Sequence, residues 1–214
     1  MLKFTLVSIY IILIFLLSIA CKIYYPENKE ALRKIIHIGI GPTIPLAFFL
    51  KIDQNSALFF TGIISILTFL NYKFKLFPNI EDVDRKSYGT IFYCLSLFIL
   101  IFIFWEKDPY SLVAGFLIMT FGDGLAGLVG KGFNSKSWIL LKQKKSLFGT
   151  LTMFLISCII TSSIGYAQQN GFNINFLTIA LVATVLEQFS ILGIDNLIVP
   201  ISSALCFNFF ITNL

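Results

Sequence analysis

Long apolar runs recur along the whole chain and are separated by short polar connections. A helix needs roughly 20 mostly apolar residues to cross the hydrocarbon core of a bilayer. The pattern predicts eight such helices, or seven with one broken helix, because only a short turn around Gly193 separates the last two runs. The predicted spans are 4–21, 35–50, 56–72, 89–105, 109–130, 147–167, 174–190 and 195–212.

Composition indicates that most of the chain lies in lipid. Of the 214 residues, 57% are hydrophobic and 13% are charged, and the mean hydropathy is +0.87. Soluble domains carry about 25% charged residues, so charges this sparse cannot cover a water-facing surface. We therefore expect an all-α, polytopic helical bundle that forms a single integral membrane domain over residues 1–214. The first apolar run also resembles a signal peptide, but its length and the later spans favour a transmembrane helix.

Lysine and arginine residues are divided very unevenly among the polar connections. Connections 22–34, 73–88 and 131–146 hold thirteen of the sixteen. The positive-inside rule predicts that these connections face the cytosol and that the N-terminus faces out. The same loops account for the net charge of +5 and favour anionic lipid head groups. We expect no nucleic-acid partner and infer no obligate protein partner.

Ionisable and polar residues within or beside the predicted spans gather at the cytosolic ends. Such residues are costly in a membrane, so each is a candidate site residue. The acidic ones were not used to assign the orientation, which makes their agreement with it partly independent. The residues are Arg33, Lys34, His37, Asp84, Arg85, Lys86, Asp123, Lys144, Lys145, Ser146, Glu187, Asp195 and Asn196.

Asp123 lies in a glycine-rich stretch of the fifth predicted span. Gly122, Ala126 and Gly130 are spaced at i, i+4 and i+8, so they form a smooth ridge that lets a neighbouring backbone approach closely. A carboxylate beside such a contact is destabilised unless it is paired or bound to a cation. This favours metal or phosphate chemistry over a packing motif with a snorkelling aspartate. The stretch also spells GxGxxG, but it lacks the preceding strand that a dinucleotide-binding fold requires.

The only histidine, His37, lies one helical turn after Arg33, so the two share a helix face. By itself His37 is either a hydrogen-bonded interior residue or a catalytic base. Gly39, Gly41 and Pro42 follow directly and predict a kinked or partly unwound helix. Such backbone is tolerated at membrane depth only against protein or a wet cavity.

Two later segments complete the candidate chemistry. Lys145 and Ser146 precede the sixth span, where free N–H groups and the helix dipole favour a phosphate; ordinary anchoring by cytosolic lysines is the alternative. Asp195 and Asn196 are expected to cap the last helix. Together with Glu187 they offer only oxygen ligands, which suit magnesium rather than zinc.

In this order the landmarks resemble the CTP-dependent polyprenol kinase family, which includes dolichol, phytol and farnesol kinases and the CTP-using diacylglycerol kinases. Each matching piece is short, but the ordered set is fairly specific and runs from residue 33 to residue 200. The pieces are Arg33-Lys34-x-x-His37, Ser87-Tyr88-Gly89-Thr90, Gly122-Asp123-x-x-Ala126, Lys145-Ser146-x-x-Gly149-Thr150, Glu187, and Asp195-Asn196 with Pro200.

The resemblance implies a kinase that phosphorylates the hydroxyl of a membrane lipid alcohol (phytol, a polyprenol such as dolichol, or diacylglycerol) at the cytosolic face, with CTP as donor and Mg²⁺ as cofactor. The implied catalytic residues are Asp123, His37, Lys145 and Arg33. The implied nucleotide- and phosphate-binding residues are Arg33, Lys34, Arg85, Lys86, Lys145, Ser146, Gly122 and Gly149. The implied metal ligands are Asp123, Asp195, Glu187 and Asn196. Either His37 or an aspartate would accept the hydroxyl proton.

Two other functions fit parts of the pattern. A phosphatidate cytidylyltransferase would also need CTP, magnesium and a cytosolic rim, but its long basic signature is missing from this sequence. A small multi-pass transporter would place polar residues and broken helices near the bilayer midplane. The charged residues here gather at one rim instead, which favours the kinase.

Overall fold

The computed structural model describes residues 2–24, 29–74, 87–168, 171 and 173–212, and this part of the chain is almost entirely helical. The helices are α1 (Leu2–Tyr24), α2 (Lys29–Ile40), α3 (Thr43–Phe49), α4 (Gln54–Phe74), α5 (Gly89–Phe104), α6 (Pro109–Leu117), α7 (Gly124–Gly132), α8 (Leu147–Ala167), α9 (Asn175–Gln188) and α10 (Asp195–Phe207). A π-helical segment, Ile118–Asp123, joins α6 to α7, and a second, Asn208–Thr212, follows α10. Two strands, β1 (Ser137–Leu140) and β2 (Gln143–Ser146), pair as an antiparallel hairpin.

Four helical segments of the described chain are long and apolar enough to cross a membrane. They are Leu2–Cys21, Gln54–Phe74, Pro109–Gly132 and Leu147–Ala167. Helices α5 and α9 and the segment Asp195–Ile211 are apolar but shorter. The all-α expectation is confirmed, and four candidate spans agree with a membrane protein, whereas the count of seven to eight spans stays a prediction.

The predicted second span is broken at the point where glycine and proline follow His37. Helix α2 ends at Ile40, a turn contains Gly41 and Pro42, and α3 begins at Thr43. The hydroxyl of Thr43 donates to the carbonyl oxygen of Ile40 at 2.6 Å and so satisfies one of the free carbonyls of α2. The expected kink is thus confirmed as a full break between two short helices.

The hairpin lies in the predicted connection 131–146, which we expected to be a loop. Its register pairs Trp138 with Lys145 and Leu140 with Gln143. The two turn residues, Leu141 and Lys142, both have positive φ angles, of 50° and 64°. Asn-Gly is the usual sequence for such a turn, so the residues here give no hairpin signal, and the sequence-based prediction was wrong on this point.

The segment Pro109–Gly132 is the centre of the bundle. In its most apolar window 56% of the residues are buried, against 6% in α1 and in α4. Helix α10 packs along α6 and α5, α8 packs on α7 and on the π-helical segment, and α2 packs on α7. The apolar outer faces of α1 and α4 therefore form much of the surface that lipid would cover.

Three hydrogen bonds connect neighbouring segments at the end of the bundle where α6 begins. Lys3 Nζ donates to the carbonyl oxygen of Lys51 at 3.2 Å, and Trp105 Nε1 donates to that of Ile52 at 3.0 Å. Asn208 Nδ2 donates to Oδ2 of Asp108 at 2.8 Å. Asp123 lies further along the same continuous helical segment, about 20 Å from Asp108 at 1.5 Å per residue. The candidate site residues are therefore at the opposite end.

Candidate active site

Asp123 is the last residue of the π-helical segment and forms an ion pair with Lys34 of α2. Lys34 Nζ donates to Asp123 Oδ2 at 2.6 Å and to the carbonyl oxygen of Asp123 at 3.1 Å. The two side chains are only 5% and 16% exposed. Wider π-helical turns are rare and frequently occur at functional sites, and here the segment ends where the carboxylate meets its cation.

His37 lies beside this ion pair and faces the same carboxylate. Its Nε2 is 3.3 Å from the carbonyl oxygen of Met119 and 3.5 Å from Oδ2 of Asp123. A carbonyl oxygen only accepts hydrogen bonds, so this contact requires a hydrogen on Nε2. Tyr93 donates to the carbonyl oxygen of His37 at 3.1 Å and packs its ring 4.8 Å from the imidazole. The arrangement places the imidazole beside Asp123, with the Nε2 hydrogen directed at the carbonyl oxygen of Met119. The catalytic role of His37 stays a prediction.

Two glycines of α7 allow α2 to come this close. A Cβ on Gly127 would lie 2.9 Å from Cε of Lys34, and a Cβ on Gly124 would lie 3.6 Å from Cδ2 of His37 and closer still to Ile38. The side chain of Lys34 thus reaches Asp123 across the bare surface of Gly127. The sequence analysis missed this face, although the i, i+3 spacing of the two glycines signals it.

The predicted small-residue ridge runs along the opposite face of the π-helical segment and α7, and it packs on α8. A Cβ on Gly122 would lie 2.7 Å from Sδ of Met153, and one on Gly149 would lie 3.0 Å from the carbonyl oxygen of Ala126. Gly130 lies directly against Gly149, whose Cα would be 3.4 Å from an added Cβ. The predicted close approach of a neighbouring backbone is confirmed. Phosphate binding by Gly122 or Gly149 remains a prediction.

A second ion pair joins Lys145 of β2 to Glu187 near the end of α9. Lys145 Nζ contacts Oε1 of Glu187, donates to the carbonyl oxygen of Glu187 at 2.7 Å and donates to Oγ of Ser190 at 2.7 Å. Each charged side chain of the pair is 10% exposed. The other carboxylate oxygen accepts from Nε2 of Gln188 at 2.9 Å, so both oxygens of Glu187 are engaged.

Gln143, two residues before Lys145, holds the same end of α9. Its Nε2 donates to the carbonyl oxygen of Ser190, and its Oε1 accepts from Oγ of Ser190 at 3.3 Å. Ser190 is 5% exposed, so this hydrogen-bond chain is shielded from solvent. Gln143 and Ser190 were missed by the sequence analysis because neither belongs to a charged cluster or a recognisable motif.

Ser146 caps helix α8. Its Oγ accepts from the main-chain N–H of Gly149 at 3.2 Å, and its carbonyl oxygen accepts from Oγ1 of Thr150 at 3.0 Å. The first turn of α8 therefore begins at Leu147, two residues after Lys145. This is the arrangement of a lysine before a helix start that the sequence analysis connected with phosphate binding. Binding of phosphate by Ser146 stays a prediction.

Asp195 and Asn196 do not cap α10, which corrects the sequence-based expectation. The N-cap is Ile194, no side chain caps the helix, and Asp195 is the first helical residue. Nδ2 of Asn196 donates to the carbonyl oxygen of Gly193 at 3.2 Å. Oδ1 of each side chain is buried and accepts no hydrogen bond from the described residues. Buried acceptors without donors are costly, so each of these oxygens is free to accept from a ligand; binding of a cation by Asp195 and Asn196 stays a prediction.

Arg33 approaches Asn196 at the start of α5. A Cβ on Gly89 would lie 3.1 Å from Nδ2 of Asn196 and 3.8 Å from Nη1 of Arg33. Gly193, with a φ angle of 88°, packs directly on Gly89. The first turn of α5 thus borders the candidate site. The predicted phosphate-binding residues Arg85 and Lys86 lie outside the described residues.

The two ion pairs and Asp195 belong to one electrostatic cluster. Asp195 interacts through its charge with four other groups, namely Asp123, Glu187, Lys34 and Lys145. Among the described residues, no three His, Cys, Asp or Glu side chains lie close enough together to hold a metal ion. The structure thus does not bring the three predicted carboxylate ligands Asp123, Asp195 and Glu187 together around one ion, and magnesium binding stays a prediction.

Comparison with known proteins gives the family. A protein from Synechocystis sp. named phytol kinase is 38% identical over 185 residues, which cover 82% of this chain and 77% of the relative. The chain belongs to the phytol kinase family. A probable chloroplastic phytol kinase of Triticum aestivum is 26% identical over 81% of this chain and 65% of its own length. A chloroplastic farnesol kinase of Arabidopsis thaliana is 25% identical over 83% of this chain and 64% of its own length.

The chain therefore spans slightly less than two thirds of the length of the two plant relatives named here. No family model matches the chain, and no solved structure matches it. The resemblance inferred from the motifs is confirmed as far as phytol and farnesol kinases are concerned. Kinship with dolichol and diacylglycerol kinases and the use of CTP stay predictions.

Proposed function

We propose that the protein transfers the terminal phosphoryl group of CTP to the hydroxyl of a prenyl alcohol, with phytol as the first candidate, at the cytosolic face of the membrane. The relatives named phytol kinase and farnesol kinase support the class of acceptor. The observation that carries the proposal is the gathering of two buried lysines and three carboxylates from five different elements at one end of the bundle. CTP as donor rests on the resemblance of the motifs.

The lysines suit a triphosphate because each already holds an anion in a shielded position. Lys34 and Lys145 are ion-paired with carboxylates here, and each would turn its ammonium group to a phosphate when the nucleotide enters. Arg33 of α2, whose guanidinium approaches the first turn of α5, would add a third cation. Phosphoryl transfer is mostly positioning and charge stabilisation, which is what such a set of cations provides.

Asp195 and Asn196 would hold Mg²⁺ together with Asp123, because their Oδ1 atoms are buried without donors. The bound ion would neutralise charge on the nucleotide phosphates. Both carboxylate oxygens of Glu187 are engaged, by Lys145 and by Gln188. Glu187 would therefore bind the ion only after Lys145 moves away from its carboxylate.

The alcohol would lie with its chain between the helices and its hydroxyl near Asp123. In the transfer, the hydroxyl oxygen bonds to the γ-phosphorus, the bond from phosphorus to the bridging oxygen breaks, and CDP leaves. Either an aspartate or Nδ1 of His37 would accept the hydroxyl proton, because Nε2 of His37 already donates to the carbonyl oxygen of Met119 in this structure.

The test uses purified protein in lipid nanodiscs with CTP or ATP labelled in the γ-phosphate, and with phytol, farnesol, dolichol and diacylglycerol as acceptors. We expect a labelled phytyl or farnesyl monophosphate and CDP, dependence on Mg²⁺, and loss of product in Asp123→Ala and in the nearly isosteric Asp123→Asn. The control is Asp53→Asn, an exposed carboxylate at the other end of the bundle.

Four outcomes would contradict all or part of the proposal. Activity with ATP alone would remove CTP as the donor. A CDP-lipid with pyrophosphate as products would identify a cytidylyltransferase. Uptake of a substrate into vesicles without nucleotide would favour a transporter. A folded and fully active Asp123→Asn variant would remove the role given to Asp123.

A further inference from the structure

The hairpin Ser137–Ser146 is connected directly to α8, one of the four candidate membrane spans. Strand β2 ends at Ser146 and α8 begins at Leu147, with no residue between them. The 21 residues of α8 extend about 31 Å at 1.5 Å per residue, which matches a hydrocarbon core about 30 Å thick. A four-residue strand adds only about 13 Å. If α8 crosses the membrane, the whole hairpin lies in or just above the head-group layer.

The composition of this part of the chain suits that layer. From Lys131 to Phe148 the sequence contains five lysines and no acidic residue. Lys136, Lys142 and Lys144 are exposed and form no ion pair with any described carboxylate. Apolar side chains accompany them at the surface of the hairpin: Trp138 is 39% exposed, Ile139 78% and Leu141 46%. Lysine and tryptophan beside exposed aliphatic residues are typical of segments at a membrane interface.

The two faces of the hairpin point to different surroundings. Paired residues of an antiparallel ladder share a face, and the pairs Trp138–Lys145 and Leu140–Gln143 belong to the inner face. Gln143 and Lys145 of that face hold the end of α9, as described above. The pair Ile139–Lys144 belongs to the outer face and is exposed. The hairpin thus connects an exposed outer face, which carries Ile139 and Lys144, to Lys145 of the candidate active site.

We propose that the hairpin binds the surface of a bilayer that contains anionic phospholipids. Ile139 and Leu141 enter the boundary between head groups and acyl chains, while Lys136, Lys142 and Lys144 contact the head-group phosphates. This contact fixes β2 and therefore holds Lys145 against α9. The lipid contact is independent of the proposed function, whereas its effect on nucleotide binding by Lys145 rests on it.

Trp138 belongs to the inner face but is still 39% exposed and is adjacent in sequence to the exposed Ile139, so its fluorescence tests the lipid contact. The protein is placed in nanodiscs of phosphatidylcholine, brominated high in the acyl chain, with or without phosphatidylglycerol, and the quenching that Trp138→Phe loses is assigned to Trp138. The other tryptophan, Trp105, is buried at the opposite end of the bundle. We expect the Trp138 quenching to grow with the fraction of phosphatidylglycerol and to fall at high salt, since screening weakens surface electrostatics.

Lysine variants show whether the quenching of Trp138 depends on the positive charge of the hairpin or only on the exposure of Trp138. Lys136→Gln, Lys142→Gln and Lys144→Gln combined should remove most of the dependence on phosphatidylglycerol, since each lysine near an anionic surface contributes roughly five-fold in binding. Lys107→Gln, which removes an exposed lysine at the opposite end, should leave it unchanged. Equal quenching in both lipids, unaffected by the triple substitution, would overturn the proposal, as would the absence of quenching by any bilayer.

A turn variant alters the tip without unfolding the hairpin. Leu141 and Lys142 occupy positive φ angles that suit Asn-Gly, so Leu141→Asn combined with Lys142→Gly should strengthen the turn while removing its apolar and charged contacts. We expect weaker Trp138 quenching and a several-fold higher nucleotide KM in anionic nanodiscs. Unchanged quenching would contradict the proposal. A failure of the proposed kinase function would abolish all turnover but leave the quenching results as expected.

Discussion

Lys34 and Asp123 form a buried ion pair that joins α2 to the centre of the bundle. Their Nζ and Oδ2 atoms are 2.6 Å apart, although the residues are 89 positions apart in the sequence. A buried pair of this kind contributes little compared with well-packed apolar residues, but removing one partner leaves an uncompensated charge. Replacing one partner should therefore destabilise the fold, whereas replacing both by apolar residues should remove the chemistry and leave the fold stable.

Single and double substitutions of this pair should separate stability from activity. We expect Lys34→Ala or Asp123→Ala to lower the free energy of unfolding by about 3–5 kcal/mol, because each leaves one buried charge unpaired. Lys34→Met combined with Asp123→Leu should recover most of this loss and yet produce no lipid phosphate. Thermal unfolding in detergent and the labelled-nucleotide assay measure the two effects. Substantial activity of the stable double variant would show that the pair is structural only.

Ser190→Ala should raise the nucleotide KM more than it lowers kcat. The substitution removes a hydroxyl that lies 2.7 Å from Nζ of Lys145, and a hydrogen bond to a charged group contributes about 1.5–3 kcal/mol. Lys145 remains paired with Glu187, so the fold should be little affected. Steady-state kinetics with varied CTP measures the split, and Ser163→Ala, an exposed serine of α8, is the matched control. If the melting temperature falls and the increase in KM is fully explained by the loss of folded protein, the role of Ser190 is purely structural.

The sequence predicted the parts of the site that depend on charge and helical spacing. Asp123, Lys145 and Asp195 were expected to converge, and in the structure the charges of Asp123 and Lys145 act on Asp195; that the three form one active site stays a prediction. The ridge of Gly122 and Gly130 was likewise expected, because small residues at helical spacing have a direct geometric meaning. Both features follow from periodicity, which is visible in one dimension.

Features that depend on pairing between distant segments were not predictable in the same way. The contact of Gln143 with Ser190 joins residues 47 positions apart, and the hairpin turn lacks the usual Gly or Asn. The capping role expected for Asp195 was wrong, because helix α10 starts one residue earlier than a cap at that position would require. Polar residues at a helix start have several possible roles, and only the three-dimensional neighbours distinguish them.

Asp195→Asn should increase the Mg²⁺ concentration needed for half-maximal activity. The substitution keeps the shape of the side chain but removes the charge that Oδ1, buried and without a donor, would offer to a cation. We expect a shift of roughly ten-fold or more, corresponding to about 1.4 kcal/mol, with partial recovery at high Mg²⁺. A Mg²⁺ titration of initial rates measures it.

The control for the magnesium titration is Asp53→Asn. Asp53 accepts from the main-chain N–H of Ser56 at 2.8 Å, and asparagine caps helices about as well as aspartate. This variant should keep both its stability and its Mg²⁺ dependence. An identical Mg²⁺ profile for Asp195→Asn and the wild type would remove Asp195 from the metal site.

Gly127→Ala should impair nucleotide use with little effect on stability. The added Cβ would lie 2.9 Å from Cε and 3.2 Å from Nζ of Lys34, so the end of this flexible side chain must move away from Asp123. Gly132→Ala is the matched control in the same helix, since no atom of the described chain lies within 4 Å of its added Cβ.

The control variant should be neutral or stabilised by at most about 1 kcal/mol, as expected for alanine in place of glycine in a helix. Gly127→Ala should show a several-fold higher KM for CTP at a nearly unchanged melting temperature. Because both substitutions add one methyl group to α7, a difference between them isolates the contact with Lys34. Equal kinetics in the two variants would mean that the position of Lys34 over Gly127 does not control nucleotide binding.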